Sequence, residues 1–330
     1  MVGLELSVII VSWNTRDILL RCLEALRSGG RAKLEVIVVD NASSDGGPDL
    51  VESQFGGGWE LKLVRNTLNV GFPKAVNQGL GLASAPYVLL LNPDIVLAPG
   101  AADMMLSLLQ TRDDVGAVGP KTRMPEGTIQ LQCARRLPRL LEFAAERFGL
   151  SGLLPRFGLP NRLMSDWDHA DSRAIECLSG ACVMMRAEEL RAIGGLVEEM
   201  YLEDNELCWR VRELLRKEVY YLAEAEAVHH HSLSYRAITD RRHYTWIVEM
   251  LEAASVKFFV LHSGKATVAA ARAIQVLSGL VKLLGLAVVL PVVAWRPDLR
   301  NRVVNALCRA YVRAAVGLRG ARFESDVRGE

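Results

Sequence analysis

The chain has 330 residues, of which 50% are hydrophobic and 23% charged, a balance that excludes disorder throughout and allows one large α/β domain or two domains. The formal net charge is +1, so the molecule as a whole is no polyanion binder. The charge is unevenly placed, because residues 265–330 carry 11 Lys and Arg against 4 Asp and Glu, a net charge of +7. Such a basic tail is typical of a segment that meets an anionic surface.

The six cysteines form no CxxC pair and lie mostly in apolar runs, which favours buried, reduced thiols in a cytoplasmic protein. The first apolar run, residues 6–13, has no basic segment before it and no small-residue cleavage site behind it. We therefore expect no secretory signal and interpret this run as a first buried strand.

Strands and helices alternate along the first 111 residues. β-branched apolar runs predict parallel strands covered on both faces, and amphipathic segments between them predict helices. The order β-α-β-α-β-α-β implies a parallel, doubly wound sheet with right-handed crossovers. The predicted strands are 6–12, 34–39, 61–65 and 87–91, and the predicted helices are 17–27, one beginning near Pro48, 72–83 and 101–111.

The pattern after residue 111 is less regular. Residues 125–174 are rich in Arg and Pro and have weak periodicity, so we interpret them as loops over the active face, where acceptors bind. The other predicted elements are strands at 116–120, 177–185 and 219–222, a helix at 188–193 and a charged helix from 201 to about 217.

The sequence changes character from about Ala266, and residues 273–295 are almost all apolar, interrupted by Gln275 and Lys282, with arginines following. The longest uninterrupted apolar piece, 283–295, has 13 residues, whereas a membrane span needs about 20. We expect amphipathic helices at a membrane interface, with a true span and a soluble helical hairpin as alternatives.

Polar residues stand where two predicted strands end, which is where ligands bind in an α/β sheet. Asp40 is suited to accept hydrogen bonds from a ribose or a pyrimidine imide, although a helix cap is a simpler interpretation. Asn92-Pro93-Asp94 offers oxygen atoms to Mg²⁺ or Mn²⁺, a metal that would neutralise a departing diphosphate. The same three residues also make common turns.

Two later motifs carry candidate catalytic groups. Glu203 and Asp204 open a predicted helix, where one of them could act as a general base, although acids also favour the positive end of a helix. His229-His230-His231 follows the last predicted strand and could supply an imidazole to the metal. Neighbours on an extended chain point in opposite directions, so His229 and His231 share a face and both remain candidates.

In their order along the chain, these segments resemble the family-2 glycosyltransferases of the GT-A fold, particularly the bacterial rhamnosyltransferase-like branch. The resemblance covers residues 5–235. It rests on Ser7-Val-Ile-Ile-Val-Ser-Trp-Asn14, Val38-Val-Asp-Asn-Ala-Ser-Ser-Asp-Gly46, Asn69-Val-Gly-Phe-Pro-Lys-Ala-Val-Asn-Gln-Gly79, Leu89-Leu-Leu-Asn-Pro-Asp94, Ser179-Gly-Ala-Cys182, Tyr201-Leu-Glu-Asp-Asn-Glu-Leu-Cys-Trp-Arg210 and His229-His-His-Ser-Leu-Ser234.

The resemblance implies an α/β GT-A (Rossmann-like) fold with a mostly parallel sheet flanked by helices. The glycosyltransferase domain would be 1–262, with a nucleotide-sugar half at about 1–120 and an acceptor half at about 121–262, and 263–330 would be a basic helical extension. The implied reaction is an inverting transfer from a nucleoside diphosphate sugar to a hydroxyl group. The branch points to dTDP-L-rhamnose as the donor, with a UDP-hexose as the alternative, and to a lipid-linked saccharide or a growing surface polysaccharide as the acceptor.

The resemblance also implies roles for single residues. Asn92 stands where the family's Asp-x-Asp motif has its first acid, so metal binding would be weaker or monodentate here. The implied nucleotide-sugar contacts are Ser12, Asn14, Asp40, Gly71, Asn77 and Asn92; the implied ligands of a divalent metal, Mg²⁺ or Mn²⁺, are Asp94 and His229; the implied catalytic base is Asp204, with Glu203 beside it.

Three other functions are disfavoured. Nucleotidyl transfer usually needs a glycine-rich loop after the first strand, and residues 12–17 contain no glycine. A non-catalytic binding protein would not need to retain Asp94, Asp204 and His229. Nucleic-acid binding is disfavoured because the tail's arginines alternate with Val, Leu and Ala rather than with stacking aromatics, a composition that suits a membrane surface. We therefore expect a peripheral protein on the cytoplasmic face of a membrane.

Overall fold

The computed structural model describes residues 3–56, 60–199, 201–230, 241–293 and 297–319. Backbone packing divides the chain into two compact units. The first, here called the sheet unit, comprises Met1–Leu137 and Leu163–Ala237, and the second, the helical unit, comprises Pro138–Arg162 and Ile238–Glu330. These units do not follow the predicted domain limit at residue 262, which stays a prediction.

The sheet unit alternates strands and helices as far as its fourth helix and then becomes irregular. In chain order its elements are β1 (Leu6–Ser12), α1 (Arg16–Ser28), β2 (Leu34–Asp40), α2 (Gly47–Phe55), β3 (Glu60–Arg65), α3 (Phe72–Leu82), β4 (Tyr87–Leu91), β5 (Ile95–Leu97), α4 (Ala101–Thr111), β6 (Val115–Arg123), β7 (Ala134–Arg135), β8 (Arg173–Ile175), β9 (Cys177–Leu178), β10 (Cys182–Arg186), α6 (Ala187–Ala192), α7 (Glu203–Glu213) and β11 (Glu218–His229). The helical unit contains α5 (Leu140–Phe148), α8 (Arg241–His262), α9 (Lys265–Val293) and α10 (Pro297–Arg319).

One mixed sheet forms the centre of the sheet unit, with the strand order β3-β2-β1-β4-β10-β6-β11-β5. The first four strands of this order run parallel, as the alternation of strands and helices predicts. β10 runs antiparallel to both β4 and β6 and joins the parallel half to the rest of the sheet. Ser12 is paired with Asp40 in the register of β1 and β2, so both lie at the same carboxyl edge.

Side chains from both faces of the sheet make the core, because parallel strands are covered by helices on both sides. On β1, Val8 and Ile10 pack into a cluster with Leu23 of α1 and Met105 of α4. Ile9 points to the opposite face and packs with residues of α3, α6 and α7. The apolar run that predicts this strand is therefore buried on both sides, as expected.

Two predicted elements differ from the observed ones, one observed strand was not predicted, and the stretch 125–174, interpreted as loops, contains the helix α5. The run 177–185 is two strands, because residues 179–181 turn between them. The strand predicted at 219–222 continues to His229, since its second half pairs with β5 and β6. β5 itself is a strand of three residues, too short to show a period in the sequence.

The helical unit is held together by aromatic packing and by a buried charged cluster. Phe143 and Phe259 meet edge to face with ring centroids 5.2 Å apart. The Glu252 carboxylate accepts from Arg147 at 2.9 Å, from Arg313 at 2.8 and 3.0 Å and from Gln275 at 2.9 Å. One segment of the described residues, Lys265–Val288 in α9, is long and apolar enough to cross a membrane, and only 22% of its best window is buried.

Candidate functional site

Asp40 lies at the carboxyl end of β2 and is almost completely buried. Its Oδ2 atom accepts from the backbone N–H of Ser43 at 3.0 Å. Its Oδ1 atom is also buried and has no hydrogen-bond partner among the described residues. A buried carboxylate oxygen without a partner is costly unless a ligand donates to it, so Asp40 is suited to bind the N–H or O–H of a nucleotide.

The loops beside Asp40 are held in shape by side-chain hydrogen bonds. The Asn14 Oδ1 atom accepts from the Ser44 backbone N–H at 2.8 Å, and the Ser12 hydroxyl lies 3.0 Å from that of Thr15. Asn14 and Ala42 both adopt positive φ, of 52° and 64°. Such backbone strain clusters at functional sites, where the surrounding structure maintains it. Ser12 and Asn14 therefore lie in the same group of loops as Asp40, and their nucleotide contacts stay predictions.

Gly71 and Asn77 flank the first turns of α3. Gly71 is the residue before the helix and has φ 86°, which favours glycine there, and its carbonyl lies 3.4 Å from the Asn41 amide nitrogen. Asn77 has a different environment from the predicted one. Its amide donates to the Leu196 carbonyl at 2.8 Å and accepts from the Leu196 N–H at 2.9 Å, so both polar atoms serve packing in this structure. The nucleotide contact of Asn77 stays a prediction.

Asp94 and His229 meet at the predicted metal position. Both side chains are buried, and His229 Nε2 lies 3.2 Å from Asp94 Oδ1. On the other side of the ring, His229 Nδ1 lies 2.8 Å from the Gln130 amide oxygen. Because that oxygen accepts, Nδ1 is the donor, and Nε2 points toward the Asp94 carboxylate. A cation between Nε2 and the carboxylate, either a proton on Nε2 or a metal ion, makes this contact favourable.

This donor set fits a divalent metal. Two neighbouring ligands, each about 2.1 Å from an octahedral ion, lie about 3 Å apart, close to the observed separation of Asp94 Oδ1 and His229 Nε2. The side-chain oxygen of Asn92, in the same turn as Asp94, is buried and has no partner in the part of the chain that the structure describes. No cluster of three or more His, Cys, Asp or Glu side chains occurs among those residues. A metal would therefore complete its shell with water and diphosphate oxygens.

Asp204 lies in the first turn of α7 and is paired with Arg135 of β7. The Arg135 guanidinium is mostly buried; burial opposes its charge, but the Asp204 carboxylate raises the pKa of Arg135. The other oxygen of Asp204 accepts from the Asn205 N–H at 2.7 Å. These contacts hold the Asp204 carboxylate in one orientation, as a general base requires.

Glu203, beside Asp204, is a buried carboxyl group with a raised pKa. Burial, together with the Asp204 carboxylate, raises the pKa of Glu203 to about 8. A carboxyl group of this kind is protonated at neutral pH and cannot take a proton from an attacking hydroxyl. Of the two predicted acids, Asp204 is therefore the one suited to act as the base.

The turn at residues 180–181 contacts both Asn92, next to the proposed metal site, and Asp204, the proposed base. The Asn92 N–H donates to the Ala181 carbonyl, and a Cβ placed on Gly180 would lie 3.3 Å from the Cβ of Asp204. Asn92 and Asp204 therefore both contact the turn at residues 180–181. The predicted residues of this edge, Asn92, Asp94, Asp204 and His229, come together within the sheet unit.

Sequence reasoning missed two residues of the site, Gln130 and Arg135. Both belong to the irregular stretch 125–174, where no period indicates which side chains point inward. Their partners His229 and Asp204 lie 99 and 69 residues further along the chain. His231, the alternative ligand, lies outside the described residues, together with Ser232 and Ser234.

Comparison with known proteins agrees with this geometry. Residues 7–162 match the family model described as Glycosyl transferase family 2. A relative from Mycobacterium tuberculosis, an N-acetylglucosaminyl-diphospho-decaprenol L-rhamnosyltransferase, is 28% identical over 242 residues, which cover 68% of this chain and 76% of the relative.

Two solved structures share the fold at low identity. A mannosyltransferase from Pyrobaculum calidifontis, in complex with GDP-Man and Mn²⁺, is 18% identical with a TM-score of 0.53, over 94% of this chain and 87% of that one. S. aureus TarS 1-349, in complex with UDP-GlcNAc, is 15% identical with a TM-score of 0.51, over 97% and 93% of the two chains. The sheet order and these matches lead to one conclusion: the chain is a glycosyltransferase with the GT-A fold, and its residues 7–162 form a region that matches glycosyl transferase family 2.

Proposed function

We propose that this glycosyltransferase moves L-rhamnose from dTDP-L-rhamnose to a hydroxyl group of a lipid-linked saccharide, with inversion at the anomeric carbon. The mechanism rests on the ion pair of Asp204 and Arg135, which lies beside the turn at residues 180–181 that Asn92 contacts. The ion pair provides one oriented carboxylate beside the turn that also contacts Asn92. A single displacement requires one such base.

Asp40, the Asp94–His229 pair and Asp204 have separate roles in this reaction. Asp40 accepts an N–H of the base through its unpartnered Oδ1, and this preference suits the imide of a pyrimidine. Asp94 and His229 would hold a divalent cation, which supplies electrostatic stabilisation of the departing diphosphate. Asp204 removes the proton of the attacking hydroxyl, while Arg135 keeps its carboxylate in place.

The choice of donor and acceptor follows from the relatives. The printed name of the M. tuberculosis relative specifies L-rhamnose and a decaprenol-linked acceptor. The solved structures of the same fold hold GDP-Man and UDP-GlcNAc. Because thymine and uracil share the imide N–H that suits Asp40, a UDP-hexose is the alternative donor.

A donor screen tests this proposal. The purified chain, with Mn²⁺ and a polyprenyl-diphospho-GlcNAc acceptor, would be given dTDP-L-rhamnose, UDP-GlcNAc or GDP-mannose, and release of the nucleoside diphosphate would be measured. We expect acceptor-dependent release from dTDP-L-rhamnose at least about tenfold faster than from the others, with the product's anomeric configuration opposite to the donor's by NMR. Faster turnover of another donor would overturn the rhamnose assignment, and retention of configuration would overturn the single displacement.

A further inference from the structure

Helix α9 has the reverse of the polarity that a helix on a water-soluble protein shows. Its buried positions include Gln275 and Ser278, which are completely inaccessible. Along the described stretch from Ala266 to Val288, by contrast, no exposed residue is polar. Five large apolar side chains, here called the α9 apolar face, project outward with exposures between 47% and 75%: Leu277, Leu280, Val281, Leu284 and Val288.

The α9 apolar face does not fit the pattern of a surface helix on a water-soluble globular protein. A surface helix of a globular protein turns its apolar stripe inward and its polar side to water. Five large aliphatic side chains at helical spacing make a contiguous exposed patch, which marks an interaction site. Polar groups inside and aliphatic groups outside are the arrangement expected when the surroundings are lipid, since buried polar groups then find partners only within the protein.

The contact between α9 and α10 also resembles the packing of helices in lipid. A Cβ on Gly279 would lie 2.8 Å from the Ala310 carbonyl oxygen and from the Ala314 nitrogen, so only glycine allows the two backbones to approach this closely. Helices that associate in lipid use small residues in this way, because the hydrophobic effect does not drive their association there. The buried side of α9 and its exposed side therefore both have the features expected of a helix in lipid.

We propose that the α9 apolar face docks on an anionic lipid bilayer, with the helix lying along one leaflet and its aliphatic side chains among the acyl chains. Charge complementarity supports anionic lipid, because residues 265–330 carry a net charge of +7. The contact of Gly279 with Ala310 places exposed Arg309 at the level of the middle of α9. In a spanning hairpin this arginine would lie at mid-bilayer, where a charge is costly, whereas along the leaflet it reaches the phosphates.

This inference goes beyond the proposed reaction and is tested without turnover. The full chain would be mixed with vesicles of phosphatidylcholine alone or with 30% phosphatidylglycerol, and binding would be measured by flotation. We expect at least about tenfold tighter binding to the anionic vesicles. The variant Leu277→Gln/Leu284→Gln should bind them at least about tenfold more weakly, since two exposed leucines no longer enter the acyl layer.

The matched control is Leu82→Gln/Leu214→Gln, which alters two exposed leucines of the sheet unit and should bind like the parent. Circular dichroism and donor hydrolysis check that all variants are folded. Equal binding of the α9 variant and the parent would overturn the proposal. So would equal binding to both vesicle types, or a parent that binds neither and loses a dimer on the α9 substitution. Resistance to carbonate extraction would replace the interfacial geometry with a span.

Discussion

His229 Nε2 lies 3.2 Å from Asp94 Oδ1, and the opposite nitrogen of the same ring lies 2.8 Å from the Gln130 amide oxygen. Gln130 therefore orients the His229 ring so that Nε2 faces Asp94. Partners of this kind orient a metal-binding histidine and raise its basicity. Gln130 is a positioning residue that acts through His229.

The variant Gln130→Leu should bind Mn²⁺ about 10–100-fold more weakly in the presence of a nucleoside diphosphate, because His229 loses the acceptor that orients it. Titration followed by electron paramagnetic resonance of the free Mn²⁺ measures this directly. Gln132→Leu, two residues away and exposed, is the control and should leave the affinity unchanged. An unchanged Mn²⁺ affinity in Gln130→Leu would show that the histidine needs no such support.

Asp204→Asn should lower kcat by at least about 100-fold while nucleotide affinity is retained, since the amide keeps the shape of the carboxylate but cannot take a proton. Single-turnover rates and calorimetric titration with dTDP separate these two effects. The surface substitution Glu198→Gln serves as the control, because Glu198 is exposed and pairs only with Lys74 among the contacts described. Full activity in Asp204→Asn would exclude it as the base.

Glu203 should make the stability of the protein fall as the pH rises. Its pKa is raised to about 8 in the folded chain, against an ordinary value of about 4.3. Between these pH values the folded chain keeps a proton that the unfolded chain has released, so rising pH favours unfolding.

Glu203→Gln should remove this dependence, so its stability relative to the parent should be higher at pH 8 than at pH 5. Urea unfolding at the two pH values measures it, with exposed Glu188→Gln as the control. A parallel pH dependence in the parent and Glu203→Gln would mean that Glu203 is ionised in the folded chain.

Glu252→Leu should destabilise the helical unit by about 3–5 kcal/mol, because it leaves the buried guanidinium groups of Arg147 and Arg313 without their shared carboxylate. The free energy of unfolding in urea, followed by helical circular dichroism, checks this. Glu249→Gln, on the same helix but less buried, should cost less than about 0.5 kcal/mol. Similar losses in both variants would mean that the charged cluster contributes no more than the helix surface does.

Much of the parallel half of the sheet could be predicted, because its information is local. The strand at 87–91 and the helix at 101–111 have the predicted limits, since continuous apolar runs and helical spacing are visible within a short window. The carboxyl-edge residues Asp40 and Asp94 followed from the same pattern, because strand ends fix where ligand contacts lie.

The rest depended on contacts between distant parts of the chain. The local sequence does not distinguish Arg135 from other basic residues, because its pairing with Asp204 depends on the position of β7. Asn77 fits a family motif, yet its amide is taken up by the backbone of Leu196, 119 residues away. The antiparallel insertion of β10 and the length of β11 are set by pairing partners rather than by their own residues.

The position of β10 next to β4 limits which parts of this enzyme can change without affecting its chemistry. It is hydrogen-bonded to β4 at Cys182 and Leu91, so the strand that leads from the base side and the strand that leads to the metal side are neighbours in one ladder. Their spacing is that of a β-sheet, which cannot open like a hinge between lobes. We expect substitutions in residues 124–129 and 163–168 to change what approaches the site without moving Gln130, β4 or β10. Changes of acceptor specificity and preservation of the chemistry would then fall in different parts of the chain.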